Sequence, residues 1–309
     1  MKKHIYIYSP SGAVRDKAAF KRGVLRLEKL GYSVEIDPDA LTRHQRFAGD
    51  DATRLAALHR AAASGADVAL ISRGGYGLTR ILDGIDYKAI AKAIDAGMCF
   101  VGISDFTAFQ LAVLAKTDSV TWAGPALCEG FGGGTAGAEP DDIMQDCFQD
   151  LLLEQGEGSG WRQTKALSGS MLPHHHLHIK KGTLWGGNLS LVCALLGTPY
   201  FPKVKGGILF LEDVAEHPYR IERMLTQLLH AGVLQRQKAI VLGQFTDFTL
   251  TSHDKGFKLQ TVVDWLATKV DVPILTNLPF GHVPTKVLLP VGAPVELAVD
   301  NRDVLMVWG

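Results

Sequence analysis

Short apolar runs separated by longer amphipathic stretches organise the first half of the chain. Ile5–Tyr8, Tyr32–Ile36, Val68–Ser72 and Met98–Ile103 read as strands. The unbroken apolar character of Val68–Ser72 suits a parallel strand buried on both faces. Between them, Asp16–Leu30, Asp50–Ser64 and Ile85–Ala96 carry helical spacing. In the first of these helices Val24, Leu25, Leu27 and Leu30 are expected to face inward, with Gly31 closing the end as Gly65 closes the next. A helix is expected after the Arg73-Gly74-Gly75-Tyr76-Gly77 turn, and another from Phe106, with Phe106, Phe109, Ala112, Val113 and Ala115 sharing one stripe. This order predicts a doubly wound α/β domain with a mainly parallel sheet. Ligands of such sheets bind at the carboxyl ends of the strands, where both the glycine turn and Ser104 fall.

After residue 120 the pattern changes. Phe131–Gly137 is rich in glycine, Asp141–Glu154 reads as a helix, and Gln155–Gly160 is a polar, glycine-rich loop. The expected division is an N-terminal Rossmann-like domain over 1–150, a linker over 151–170 and a C-terminal domain over 171–309. The C-terminal part is strand-rich α/β, with a barrel- or sandwich-like sheet. Gly207–Leu211 and Ala239–Gly243 read as strands, and Pro218–Leu229 and Leu259–Lys269 as helices. Val287–Val291, Val295–Val299 and Val304–Val307 read as short strands of a closing sheet.

Composition narrows the function classes. The 309 residues balance 32 basic against 32 acidic side chains, and no Lys/Arg tract occurs, so nucleic acid is an unfavoured partner. No apolar run approaches a membrane span. The first residues read as strand and turn rather than as a signal peptide, which favours the cytoplasm; a removed leader would instead place the protein in the periplasm. Cys99, Cys128, Cys147 and Cys193 are widely spaced without a CxxC. Cys99 and Cys193 fall in apolar runs and read as packed thiols, not as a disulfide framework.

Several positions carry candidate chemistry. Ser104, between a strand and a helix, is by the plain reading a helix N-cap. By the sharper reading it is a nucleophile beside helix-start N–H groups. Gly102-Ile103-Ser104-Asp105-Phe106 approaches the G-x-S-x-G elbow, but Phe106 replaces its second glycine, which argues against a standard α/β-hydrolase. Glu212, Asp213 and Glu216 are three acids at the end of an apolar strand, and the pattern does not rank them. His282 sits in a loop shaped by Pro279, Gly281 and Pro284, one of 11 histidines. His174, His175, His176 and His178 lack the ligand spacing of a metal site and read as a solvated strand edge. The Gly74-Gly75 turn matches neither a P-loop nor a dinucleotide fingerprint, and no cofactor is expected.

Five segments taken together resemble the LD-carboxypeptidase family, the S66 class of serine peptidases. They are RGGYG at Arg73–Gly77, GISDFT at Gly102–Thr107, GGNLS at Gly186–Ser190, LEDVAEHPYRIERML at Leu211–Leu225 and PFGH at Pro279–His282. They occur in the family's order and span nearly the whole chain. The resemblance implies a Ser–Glu–His triad: Ser104 as nucleophile, His282 as base and then acid, and Glu212 orienting the imidazole. It implies an oxyanion hole from backbone N–H groups, placed at Gly75 and Asp105, and leaves Arg73 and the tail of the second domain as candidates for binding substrate. The implied substrate is the murein tetrapeptide of cell-wall recycling, cut between meso-diaminopimelate and D-alanine. A homodimer is implied, and neither metal nor membrane insertion. Because the triad divides between the two expected domains, a site at their interface is expected. Two other readings compete. One is a same-family immunity peptidase that cleaves a peptide–nucleotide antibiotic; the other is a non-catalytic small-ligand-binding protein.

Overall fold

The structure, a computed structural model, describes residues 2–135, 137–164 and 176–308. The chain forms two compact units, each built from separated stretches. The first holds Met1–Gly156, Gly197–Pro202 and Pro284–Gly292; the second holds Glu157–Leu196, Lys203–Val283 and Ala293–Gly309.

In chain order the first unit contributes β1 (His4–Tyr8), α1 (Lys17–Lys29), β2 (Ser33–Ile36), α2 (Asp51–Ala63), β3 (Val68–Ile71), α3 (Tyr87–Asp95), β4 (Cys99–Gly102), α4 (Phe106–Thr117), β5 (Thr121–Ala123) and α5 (Asp142–Leu153). The second contributes β6 (Gly158–Arg162), β7 (His176–Asn188), α6 (Leu189–Leu195), β8 (Ile208–Val214), α7 (Pro218–His230), β9 (Ala239–Thr246), α8 (Leu259–Ala267) and β10 (Ile274–Leu275). The chain then returns to the first unit for β11 (Leu289–Val291) and ends in the second with β12 (Pro294–Asp300) and β13 (Asp303–Val307).

The first sheet has the order β11-β5-β4-β3-β1-β2. All its pairs are parallel except β11 on β5. The order reverses between β1 and β3, so their carboxyl-end loops open at a topological switch point. Aspartates start the helices where the sequence turns from strand to helix. Asp16, Asp50, Asp86 and Asp141 each accept a backbone N–H of the first turn, contributing about 1 kcal/mol apiece. The α1 core stripe is Ala19, Phe20, Gly23 and Leu27, whereas Leu25 and Leu30 are exposed. The expected stripe was rotated because Gly23, not a leucine, is the point where Leu127 makes its close approach. Where a helix was expected after Gly77, the chain makes two single 3-10 turns, Leu78–Arg80 and Leu82–Gly84.

The second sheet runs β10-β9-β8-β7-β12-β13-β6. Strands β7 to β10 are parallel, and β12, β13 and β6 add antiparallel strands. Its two edges are stitched by side chains: Trp161 Nε1 donates to Thr276 O at 3.0 Å and Asn277 Nδ2 to Arg162 O at 2.8 Å. Each bond occupies a backbone carbonyl at or next to an edge strand, whose polar groups have no further strand to pair with. Residues 158–162, read as part of a linker, are thus a strand that alternates exposed and buried positions. The run Val287–Val291 does not join this closing sheet. Leu289–Val291 pairs with β5 and caps the edge of the first sheet. The Gly197–Pro202 stretch is held within the first unit by Tyr200. Its ring stacks on Tyr87 at 6.3 Å, lies under the Lys116 ammonium at 4.9 Å, and its hydroxyl donates to Asp83.

Two predictions belong to the core of the first unit. Asp37 is buried, and its carboxylate accepts from Tyr6 Oη at 2.7 Å, Arg60 Nε at 2.8 Å, Arg60 Nη2 at 2.9 Å and Asp39 N at 2.8 Å. Burial alone pushes its pKa up, but the Arg60 and Tyr6 bonds outweigh burial and hold it below the ordinary value. A depressed folded-state pKa adds stability that is present above the unfolded value, about 3.9, and is lost as pH falls through the folded one. Asp37→Asn should therefore cost about 1–2 kcal/mol at pH 7, allowing for the partial exposure of Arg60. The cost should shrink below about pH 4, and thermal melts of both proteins across that range check it. The second prediction concerns the thiols. Burial pushes Cys128 and Cys193 up to about 12 and Cys99 up to about 11. Iodoacetamide at about pH 8, near the pKa of a free thiol, should leave all three unmodified in the folded protein, as read by peptide mass spectrometry.

Candidate active site

Ser104 joins β4 to α4 with φ = 69°, in the left-handed region. That conformation costs a non-glycine residue about 1–3 kcal/mol and persists where its surroundings enforce it. The N-cap position of α4 falls on Asp105 and the helix starts at Phe106, so Ser104 is not the cap that the plain reading made it. The packing explains how Phe106 replaces the second glycine of the elbow. A Cβ on Gly102 would lie 2.6 Å from the Phe106 ring and 2.8 Å from Ile71 Cδ1, so the first glycine makes room for the aromatic side chain. Phe106 stacks on Phe109 at 4.9 Å, and every residue from Phe106 to Leu114 is buried. The helix is apolar all round rather than striped, as a central helix must be.

Asp105 ties three loops to this turn. Its carboxylate accepts from Leu78 N at 2.9 Å and from the Ser11 hydroxyl, and Gly77 also donates to it. Ser11 lies in the loop after β1, Gly77 and Leu78 in the loop after β3. Burial raises the Asp105 pKa, and the bonds from Ser11 and Leu78 oppose that rise. Gly12 N donates to Gly74 O at 3.2 Å, joining the same two loops across the switch point. Gly74 lies against the serine: a Cβ there would meet Ser104 Cβ at 2.5 Å and Oγ at 2.7 Å. The backbone N–H groups of Gly75 and Asp105 take part in none of the described hydrogen bonds. Asp105 follows the left-handed Ser104 directly and Gly75 follows the glycine that touches it, so both N–H groups belong to the turns that meet at the serine.

In the second unit, Glu212 and His282 are brought together, with Glu212 Oε2 2.7 Å from His282 Nδ1. Strand β8 does not stop at Leu211 but continues to Val214, and its register with β9 shifts between Leu211 and Asp213. Glu212 occupies this irregularity and is fully buried. Its in-register partner on β7 is Asn188, whose Nδ2 donates to Glu212 Oε1 at 3.2 Å and to Asp213 Oδ1 at 2.9 Å. Asp213 Oδ2 accepts from Ser190 N at 2.9 Å and Ser190 Oγ at 2.7 Å. Burial raises the Asp213 pKa; the Ser190 bonds lower it and the nearby Glu212 charge raises it again. Glu216 pairs with Arg220 one helical turn on. Of the three acids at this strand, Glu212 is the one bonded to His282.

The His282 loop is pinned from below. Phe280 is buried edge-on against Phe210 at 5.5 Å, and its carbonyl accepts from Gln244 N at 2.9 Å. Gln244 Nε2 donates to Leu278 O at 3.0 Å. A carboxylate only accepts, so in a neutral imidazole the bond to Glu212 favours the tautomer with the proton on Nδ1 and the lone pair on Nε2.

The remaining candidates are placed as follows. Arg73 lies in the first unit beside the glycine turn, near Glu129 and Ala13 O. His176 and His178 stand on the exposed face of β7 opposite acids, His178 Nε2 at 2.6 Å from Glu296 and His176 Nδ1 at 3.2 Å from Asp300. His174 and His175 lie outside the described residues. Among the described residues no group of three or more His, Cys, Asp or Glu is arranged to hold a metal ion, and no helix is long and apolar enough to cross a membrane. Sequence reasoning missed Asn188, Ser11 and Glu129. Asn188 had a local signal, as an N-cap asparagine between Gly187 and an apolar helix. The other two act through loops that only the fold brings together.

Known proteins resemble the chain over both of its halves. Residues 5–124 match the LD-carboxypeptidase N-terminal domain, and residues 181–297 match the LD-carboxypeptidase C-terminal domain. The crystal structure of muramoyltetrapeptide carboxypeptidase from Oxalobacter formigenes is 35% identical, covers 99% of both chains and superposes with a TM-score of 0.86. A Bacillus subtilis protein named as a probable murein peptide carboxypeptidase is 31% identical over 95% of this chain and 88% of its own length. The microcin C7 self-immunity protein of Escherichia coli is 26% identical over 75% of this chain and 71% of its own. The chain belongs to the LD-carboxypeptidase family, and is a peptidase that hydrolyses its substrate.

Proposed function

We propose that the protein removes the terminal D-alanine of murein tetrapeptides by a Ser104–His282–Glu212 acyl-enzyme mechanism, in peptidoglycan recycling. The observation that carries it is the 2.7 Å bond from His282 Nδ1 to the buried Glu212 carboxylate, which aims one basic nitrogen. The left-handed Ser104 at the β4–α4 turn supports the nucleophile. In the reaction Ser104 Oγ attacks the carbonyl of the bond between diaminopimelate and D-alanine, and His282 Nε2 takes the hydroxyl proton. Glu212 stabilises the resulting imidazolium without itself becoming protonated. The N–H groups of Gly75 and Asp105 receive the oxyanion, worth on the order of 3 kcal/mol per donor. The imidazolium protonates the leaving amine, D-alanine departs, and water resolves the acyl-enzyme by the same base.

Full-length similarity to a muramoyltetrapeptide carboxypeptidase supports the substrate. Mass spectrometry of a defined muramoyl tetrapeptide incubated with the protein tests it, and the expected product is the tripeptide with one free D-alanine. An intact tetrapeptide beside a cleaved aminoacyl-sulfamoyl nucleoside would move the assignment to the immunity reading within the same family.

A further inference from the structure

Arg73 and Glu129 form an ion pair beside the serine turn that the mechanism above leaves unused. Backbone holds the two residues together, because Cys128 N donates to Ser72 O at 2.9 Å and so joins the residues just before each. Glu129 stands on a single π-helical turn, Leu127–Phe131. Such turns are uncommon and recur at functional sites. This one is braced by Arg26 Nη1 on Phe131 O at 2.8 Å and Arg22 Nη2 on Gly132 O at 2.8 Å. The pair is nevertheless loose. Arg73 Nε lies 3.4 Å from Glu129 Oε1, and Nη1 lies 3.5 Å from Ala13 O, both at the long limit of a hydrogen bond. The Arg73 side chain is 14% exposed and that of Glu129 49% exposed.

The position of the cation matters more than the pair. A Cβ on Gly12 would lie 2.4 Å from Arg73 Nη1, and one on Gly75 would lie 2.8 Å from it. Gly75 is the proposed oxyanion donor, and the adjacent Gly74 touches Ser104. Gly74, against the serine, and Gly75, against the guanidinium, are consecutive residues with α-carbons about 3.8 Å apart, so the cation and the proposed nucleophile are packed against neighbouring positions of one turn. In a substrate losing its last residue, the terminal carboxylate lies one residue beyond the scissile carbonyl. A guanidinium matches a carboxylate in shape and charge through two parallel N–H donors.

We infer that Arg73 anchors the terminal carboxylate of the peptide and that Glu129 is its resting counter-ion, the two together restricting the enzyme to the last peptide bond. This rests on Ser104 being the nucleophile. Glu129 holds the guanidinium in place without saturating it, and it opposes the incoming carboxylate by like charge. Its removal therefore strengthens binding of the acid, whereas removal of Arg73 abolishes the preference for an acid.

The test compares the muramoyl tetrapeptide with the same peptide ending in a carboxamide. In the wild type kcat/KM should favour the acid about 100-fold, the value of a charge-assisted bidentate contact. Arg73→Gln should bring that ratio close to one, and Arg73→Lys should leave an intermediate ratio. Glu129→Gln should lower KM about threefold for the acid alone. An unchanged acid-to-amide ratio in Arg73→Gln, or equal losses on both peptides with a lowered melting temperature, would show a structural clamp and overturn the inference. A wild type inert on the tetrapeptide would reject the proposed function instead. Saturation-transfer NMR then decides Arg73 without turnover. D-Alanine but not D-alaninamide should bind the wild type, and neither should bind Arg73→Gln. Equal binding of D-alanine by both proteins, or by neither, overturns the inference.

Discussion

Replacing Ser104 with alanine is expected to lower kcat for D-alanine release by on the order of 10⁶-fold while the protein stays folded. The size follows from losing the covalent route as a whole. In the proposed mechanism His282 then has no proton to accept and the acyl-enzyme cannot form, so only binding and the proposed oxyanion donors remain. The fold should tolerate the change, because Ser104 is half-buried and its backbone, not its hydroxyl, joins the hydrogen bonds of the turn: Ser104 O accepts from Thr107 N at 2.9 Å. The strain of the φ = 69° backbone remains, since alanine has a Cβ as well. Mass spectrometry of tetrapeptide digests, with a fluorophosphonate label as a second readout, checks the result. Wild type should take the label at Ser104, and turnover within tenfold of wild type in the variant would remove Ser104 from the mechanism.

Glu212→Gln carries the second largest effect, a loss of about 10⁴-fold in kcat with little change in KM. The substitution is nearly isosteric, and the reason lies in the proton it misplaces. Asn188 Nδ2 donates to Oε1 at 3.2 Å, so the glutamine turns its own oxygen toward Asn188. Its amide nitrogen then faces His282 Nδ1, where the wild type has an acceptor 2.7 Å away. The amide donates, Nδ1 must accept, and the imidazole proton moves to Nε2. The nitrogen that takes the serine proton in the proposed mechanism is then already protonated. Steady-state kinetics on the tetrapeptide, with circular dichroism to confirm folding, measure it. A loss below about tenfold would mean that Glu212 holds the loop but does not set the tautomer.

The first unit was largely legible because its signals are local. Apolar runs bounded by Asp caps and glycine stops mark the alternation of strand and helix, and a parallel sheet follows. Errors arose where a local rule met a tertiary demand. Ser104 resembled a cap until the left-handed turn shifted the cap to Asp105. Val287–Val291 looked like its neighbouring strands in sequence, yet its pairing is set by the open edge of β5, which no local pattern announces. Glu212 lay inside a strand rather than at its end, because a register shift accommodates its carboxylate between Asn188 and His282. The three acids at that strand were equivalent in composition. Burial and a single hydrogen bond separate them, and both depend on contacts far apart in sequence.

The placement of β11 in the first sheet also bears on synthesis. β5 ends at Ala123 and its outer partner begins at Leu289. At about 5–20 residues per second, the edge beside the strand that leads to Ser104 stays unpaired for roughly ten to thirty seconds while the second unit is translated. An exposed strand edge is a template for pairing with another chain. The nascent protein therefore passes through an interval in which most of one sheet exists without its last member, and a chaperone that shields β5 during that interval would raise the yield of active enzyme.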